Sequence, residues 1–261
     1  MHRVWGVFLR YLYLFKHSFS RWLDLLYWPT VDLLLWGFIT LYLQKGVPSY
    51  GGWIFQFLGA LIFWNILIRA QQGLAVGFLE DIWARNLVHL FVSPLTPAEY
   101  LAGLFIYSLF KAFFATLIMS LLASLVFDFN FWSQGVVLFY LVLALIIFAW
   151  SIGLITMALV LYFGQEAEIL AWALALLFLP FSAVFYPITV LPPLFQKISQ
   201  LVPPSYVFEN LRLLILQKDF NLSYLFKAYF ITFIYFIISL IFFFWCFNLA
   251  KKQGKLTKIG E

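Results

Sequence analysis

Charge is scarce in this sequence: Asp, Glu, Lys and Arg together make up only 10% of the 261 residues, while 65% are hydrophobic and the mean hydropathy is +0.97. That balance excludes an ordinary soluble domain, whose water-facing surface needs far more polar side chains. Cysteine is scarcer still. Cys246 stands alone in the last apolar run, which excludes an internal disulfide or a thiolate metal cluster. His2, His17 and His89 are widely separated and show no metal-ligand spacing. No G-x-x-x-x-G-K-S/T run occurs, since Gly254-Lys255 is followed by Leu256, so the chain has no P-loop of its own. Neither a G-x-S-x-G elbow nor an H-E-x-x-H pair is present, and no catalytic constellation is read.

What is abundant is long apolar sequence. Six runs stand out, at about 23–43, 51–70, 98–127, 135–163, 168–187 and 224–248. Each is long enough to cross a hydrocarbon core of about 30 Å as a helix at about 1.5 Å per residue. Helices are expected rather than strands, because the runs lack the dyad alternation of a barrel. The predicted fold is therefore an all-α polytopic membrane protein with one membrane domain, 23–261, preceded by an interfacial segment, 1–22. With both termini in the cytoplasm, ten basic residues fall inside (Arg3, Arg10, Lys16, Arg21, Arg69, Arg85, Lys251, Lys252, Lys255, Lys258) and five outside (Lys45, Lys197, Arg212, Lys218, Lys227). This bias follows the positive-inside rule, so the net charge of +5 reports topology and no nucleic-acid partner is expected.

The opening MHRVWGVFLRYLYLFKHSFSR has no signal-peptide core and is expected to remain in the mature protein. Arg3, Arg10 and His17 recur on one face, while Trp5, Phe8, Leu12, Phe15, Phe19 and Trp22 occupy the rest, predicting an amphipathic helix along the cytoplasmic interface and in contact with membrane lipids. Between the second and third runs, Glu80, Asp81, Arg85 and Asn86 fall within two helical turns and predict a short surface helix. Thr96, Pro97, Ala98 and Glu99 form a capping box that starts the third span. Two lone charges lie inside spans, Asp32 in the first and Lys111 in the third, and are expected to pair or to face a shared polar cavity. A structural ion pair, substrate contact and proton coupling all remain open for them.

The stretch FYPITVLPPLFQKISQLVPPSY, 185–206, holds five of the ten prolines yet is too apolar for a solvated loop. Pro187 is expected to stop the fifth span, Pro192 and Pro193 to start a short helix through Gln200, and Pro203 and Pro204 to separate it from a second around Tyr206 to Leu216. Two short helices dipping back into the outer leaflet fit this punctuation, with Glu209 and Arg212 three apart on the second.

Phe185-Tyr186-Pro187, Leu191-Pro192, then Pro203, Ser205, Tyr206 and Arg212 resemble the local signature of the ABC-2 family of bacterial ABC-exporter permeases, and SPLTPAEYLAG at 93–103 is similar to the family's start of the third span. Pro204, in place of an apolar residue, and the bulk of Phe178 and Phe181 depart from the pattern. The resemblance implies a homodimer in the bacterial cytoplasmic (inner) membrane, bound to two copies of a separate ATPase subunit that would carry ATP and Mg. It also implies that Glu80, Asp81, Arg85 and Asn86 belong to a coupling helix and that Asp32 faces the path. The proline-punctuated segment itself, with Tyr186, Pro187, Pro192, Pro203, Tyr206, Glu209 and Arg212, is expected to form an outer gate, a simple cap on the bundle being the alternative. The expected cargo is amphipathic or lipid-linked: a drug, a lipid, a lipo-oligosaccharide or a polysaccharide. Sodium extrusion, as in one branch of the family, and an intramembrane transferase are the alternatives. A channel would need a ring of charges or filter-like repeats, and neither is seen.

Overall fold

A computed structural model describes residues 2–46 and 53–254, and every described element is helical. Helix α1 is His2–Lys16 and α2 is Phe19–Gly46; the two are separated by a break at His17–Ser18, so the first span begins at Phe19 and not at the expected residue 23. Helix α3 runs Trp53–Trp83, α4 is the short Leu87–Val92, α5 is Pro97–Phe127 and α6 is Val136–Phe163. Then come α7 (Leu170–Phe178), α8 (Pro193–Ser199), α9 (Pro203–Gln217) and α10 (Leu222–Lys252). Residues 51 and 52 of the second predicted run, together with Lys255 and Lys258, lie outside the described residues.

Five helices are long and apolar enough to cross a membrane, within Phe19–Lys45, Ile54–Trp83, Pro97–Phe127, Val136–Phe163 and Leu222–Lys252, making this a multi-pass membrane protein. Two further expected boundaries are corrected. The second span does not end near residue 70 but continues to Trp83, because Leu74, Ala75, Phe78, Leu79 and Ile82 carry its buried face past Arg69 and Gln71. The predicted fifth span, 168–187, is helical and apolar only over Leu170–Phe181, about 18 Å of rise. Pro180 removes a backbone donor, and Ala183 adopts a left-handed φ of 54°, so the chain turns well before Pro187.

Buried apolar residues divide into two main clusters along the helix axes. One joins Val7 and Tyr11 of α1 to the end of α3, the start of α5, the end of α6, and Phe243 to Ala250 of α10; we call this the α1 end. The other joins the start of α3 and the end of α5 to Val184, Tyr206, Phe208 and Leu211, at the α9 end. Helix α3 is the central member, with 78% of its most apolar window buried against 22% for α2 and 28% for α10. Helix α1 follows the first turns of α5: Val7 lies on Gly103, Tyr11 stacks on Tyr107 at 4.9 Å, and Phe15 meets Phe110 at 5.8 Å. Its buried stripe is thus Val7, Tyr11 and Phe15, while Trp5 of the expected apolar face points outward.

Close helix approach depends on small residues, as in other membrane bundles. A Cβ on Gly73 of α3 would stand 2.6 Å from Cα and Cβ of Ser108 on α5, backbone and first side-chain atom, which cannot swing aside. Gly6 of α1, in contrast, has nothing within 4 Å. Gly73→Leu should therefore destabilise the bundle by about 1–3 kcal/mol or more through overpacking, read as a lower melting temperature in detergent, whereas Gly6→Ala should leave it unchanged.

Candidate functional site

At the α1 end, α3 stops in a motif that the sequence Asp81-Ile82-Trp83-Ala84-Arg85-Asn86 builds from its backbone. Asn86 N–H donates to Asp81 O and Arg85 N–H to Ile82 O, both at 2.8 Å, the paired bonds of a Schellman stop. Arg85 takes the left-handed position at φ 52°, where glycine is usual. The expected short helix over Glu80–Asn86 is therefore divided: Glu80 and Asp81 complete the last turns of α3, Arg85 and Asn86 form the elbow, and the short helix is α4. Helix α5 then starts as expected. Thr96 Oγ1 accepts from Glu99 N–H at 3.2 Å, Glu99 Oε2 accepts from Thr96 N–H at 2.9 Å, and Pro97 occupies the first turn.

Asp81 is 3% exposed and its carboxylate is the junction of three helices. Arg10 Nη2 of α1 donates to Oδ1 at 2.7 Å and Oδ2 at 2.6 Å. Oδ2 also accepts from the Tyr11 hydroxyl and, at 2.7 Å, from the Tyr100 hydroxyl of α5. Burial, followed by the adjacent Asp81 charge, pushes the Tyr11 hydroxyl well above the ordinary phenol range, so it remains a donor. Asn86 Nδ2 leans toward Oδ1 at 3.4 Å. Outside this knot, Arg3 donates to Pro94 O at 2.5 Å and stands 3.6 Å from Glu99, tying α1 to the α4–α5 connection.

Of the four residues singled out at this elbow, Asp81 is enclosed, Glu80 is paired with Arg21 of α2 at 3.0 Å, and Asn86 turns its side chain inward. Arg85 is exposed, together with Trp83 and Ala84 before it and His89 and Val92 on α4. Trp83 Nε1 also donates to Glu168 Oε1 at 2.9 Å, joining the elbow to the connection before α7.

The two lone intramembrane charges are not brought together. Leu25 packs with Ala115 and Gly37 abuts Phe127, so a position on α2 stands level with the residue ninety further along α5. Asp32 is level with residue 122, about 16 Å of helix rise beyond Lys111. Lys111 instead lies beside Tyr107, its ammonium 5.9 Å from the ring, and level with the pairs Arg21–Glu80 and Asp24–Arg69. Asp32 is half-buried, with Arg69 the charge acting on it. Sequence reading missed Arg10, Tyr11 and Tyr100 as partners of Asp81, and Asp24 as the partner of Arg69. The signal was the length of α3, which places Arg69 inside the bundle.

At the α9 end, Tyr186 donates to Pro180 O at 2.7 Å, Pro187 precedes a single helical turn, Ile188–Val190, and Pro192 precedes α8. Pro203 opens α9, and Tyr206 donates to Gln200 O at 3.0 Å. Glu209 and Arg212 are paired at 2.8 Å and act together as a clamp: Glu209 Oε1 accepts from Ile188 N–H at 2.8 Å, while Arg212 Nη2 donates to Ala183 O at 2.9 Å.

The family model described as ABC-2 type transporter matches residues 11–216, from Tyr11 within α1 to Leu216 within α9, taking in the elbow and the clamp. The chain belongs to the ABC-2 type transporter family. It is a membrane permease domain, and membership implies pairing with an ABC ATPase. No curated protein matches the chain. Among the described residues of this ABC-2 permease, no group of three His, Cys, Asp or Glu side chains is placed to hold a metal ion.

Removing the carboxylate charge tests the knot. Asp81→Asn leaves Arg10 without its counter-charge and should cost about 3 kcal/mol, and Arg10→Met with Asp81→Asn should cost less than the sum of the two single changes. Thermal unfolding of the four proteins in detergent measures both.

Proposed function

We propose that this chain is the membrane subunit of an ATP-driven exporter in a bacterial cytoplasmic membrane, acting as a homodimer with two ATPase subunits and moving an amphipathic or lipid-linked molecule outward. The single observation that carries the reading is the Asp81 knot, one carboxylate binding α1, α3 and α5 directly behind an exposed elbow. A partner pressing on Trp83, Arg85 and α4 cannot displace the elbow without carrying α3 and α5 with it, because those helices share Asp81. Such a surface suits a subunit that opens and closes with nucleotide and biases one of two membrane arrangements.

In this reading Arg85 contacts the ATPase, whereas Asp81, Glu80 and Asn86 hold the elbow in shape. The short α7 with the turn after it makes the remaining crossing. The segment from Tyr186 through Pro187, Pro192, Pro203 and Tyr206 to the Glu209–Arg212 clamp forms the outer gate. Asp32, on the outward-facing helix α2, lines the path.

Arg85 offers a clean test because glycine suits its left-handed backbone better than arginine does. Arg85→Gly should keep the left-handed backbone turn of the elbow while weakening capture of a P-loop ATPase from native membranes by about five- to tenfold, the worth of one good interface contact. If the unaltered chain captures no such ATPase, the exporter reading is wrong.

A further inference from the structure

We propose that the seam between α2, α3 and α5 is a binding site for the phosphate or carboxylate group of an anionic amphipath, with Lys111 and Arg69 as its cations and the exposed face of α2 around Tyr27 and Trp28 receiving the apolar tail. The site stands without the exporter reading; identifying its ligand class with the cargo rests on that reading.

Three cations, Arg21, Arg69 and Lys111, gather in the seam, and among the described residues only the first two hold a carboxylate at ion-pair distance, Arg21–Glu80 at 3.0 Å and Asp24–Arg69 at 3.1 Å; Asp32, further along α2, also acts on Arg69. Lys111 is 7% exposed, and among the described residues no carboxylate lies within ion-pair distance of its ammonium. The charges of Asp24, Arg69, Glu80 and Arg21 all act on it, and its ammonium lies 5.9 Å from the centre of the Tyr107 ring. The remaining lone carboxylate, Asp32, stands too deep to serve. A buried cation inside a membrane protein with no carboxylate at ion-pair distance is unfavourable, and an incoming anion lowers that cost.

Arg69 has capacity to spare. Its Nη1 donates to Asp24 Oδ2 and, at 3.2 Å, to Gln72 Oε1, while its buried Nε has no hydrogen-bond partner. A guanidinium edge and an ammonium together suit tetrahedral or planar oxyanions. The seam opens at Asp24, whose side chain is 46% exposed, and the adjoining surface of α2 is apolar and aromatic, with Leu23, Tyr27 and Trp28 all exposed. An anionic head with a hydrocarbon tail therefore matches both parts of the surface. Asp24 at the mouth weakens the attraction, so the site selects anions without holding them irreversibly.

The test is binding of a short-chain phosphatidic acid to the purified full chain without ATP, followed by tryptophan fluorescence. Phosphatidylcholine of the same chain length and inorganic phosphate serve as separate arms. The phosphatidic acid should bind about tenfold more tightly than the phosphatidylcholine, and Lys111→Met should abolish that preference. Asp24→Asn, by adding one net positive charge at the mouth, should tighten phosphatidic acid binding several-fold, an effect that a purely structural role would not produce. Inorganic phosphate that binds in a Lys111-dependent way but more weakly confirms the anion site and measures the tail's share; equal affinity assigns the site to free phosphate and overturns the amphipath. Equal binding of the two lipids, or unchanged preference in both variants, overturns the proposal. Should Lys111→Met fail to fold, Asp24→Asn alone decides. Because no ATPase is needed, failure here leaves the exporter reading untouched, and failure of ATPase capture leaves this result standing.

Discussion

One buried carboxylate organises the α1 end. Asp81 accepts from Arg10, Tyr11 and Tyr100, so helices α1, α3 and α5 converge on two oxygens. Charge-assisted hydrogen bonds of this kind contribute about 1.5–3 kcal/mol each, and they are cooperative in consequence, because losing any donor leaves the others around a less balanced charge. Once Asp81 is fixed, α1 must follow α5 at the spacing of Val7, Tyr11 and Phe15, and Gly103 has to be glycine to admit Val7. The Schellman stop follows from the same residue, whose backbone carbonyl receives Asn86 N–H while its side chain holds α1. The elbow projects because everything behind it is committed.

Much of this architecture was legible in the sequence, and the limits are physical. Apolar length marks a helix that crosses lipid, so α2, α5, α6 and α10 were found to within a few residues. The Thr96–Glu99 box has a local geometry, and it appears as written. By contrast, α3 was truncated at Arg69, since a charge near the end of an apolar run reads as a boundary until a partner such as Asp24 is known. The fifth predicted span was overextended because composition does not register that Ala183 turns left-handed. Asp32 and Lys111 were similar in counted depth, yet helix register separates them, and register depends on contacts such as Gly37 against Phe127. The charges at Glu80–Asn86 were read as one short surface helix, whereas the end of α3 and an elbow hold them, and which charge faces outward is decided by Arg10 and Tyr100, 71 and 19 residues away from Asp81.

The two ends use different means to hold irregular backbone inside a bundle. At the α1 end a charged knot fixes helices to one another. At the α9 end Glu209 and Arg212 of one helix satisfy Ile188 N–H and Ala183 O, groups that the turn would otherwise leave unpaired in an apolar setting. Asn210 and Asn221 exchange side-chain and backbone bonds at 3.0 and 2.9 Å, joining α9 to the start of α10 in the same way. Prolines set where the helices stop, and these polar side chains satisfy the backbone that the prolines free.

Helix α3 links the ends. It starts in the α9-end cluster at Ile54 and Leu58 and finishes in the α1-end cluster at Ile82. Close-packed interiors do not deform smoothly, and the Gly73–Ser108 approach leaves α3 and α5 no room to slide independently. The elbow and the α9 end are therefore joined by one continuous packed helix, some 45 Å long by the rise of its 31 residues. Helix α2 is the element free to respond differently, since most of its apolar surface faces outward and its polar hold on the bundle is the seam of Arg21–Glu80 and Asp24–Arg69. The charges that bind α2 to the core are thus paired with one another, and they leave Lys111 without a carboxylate at ion-pair distance.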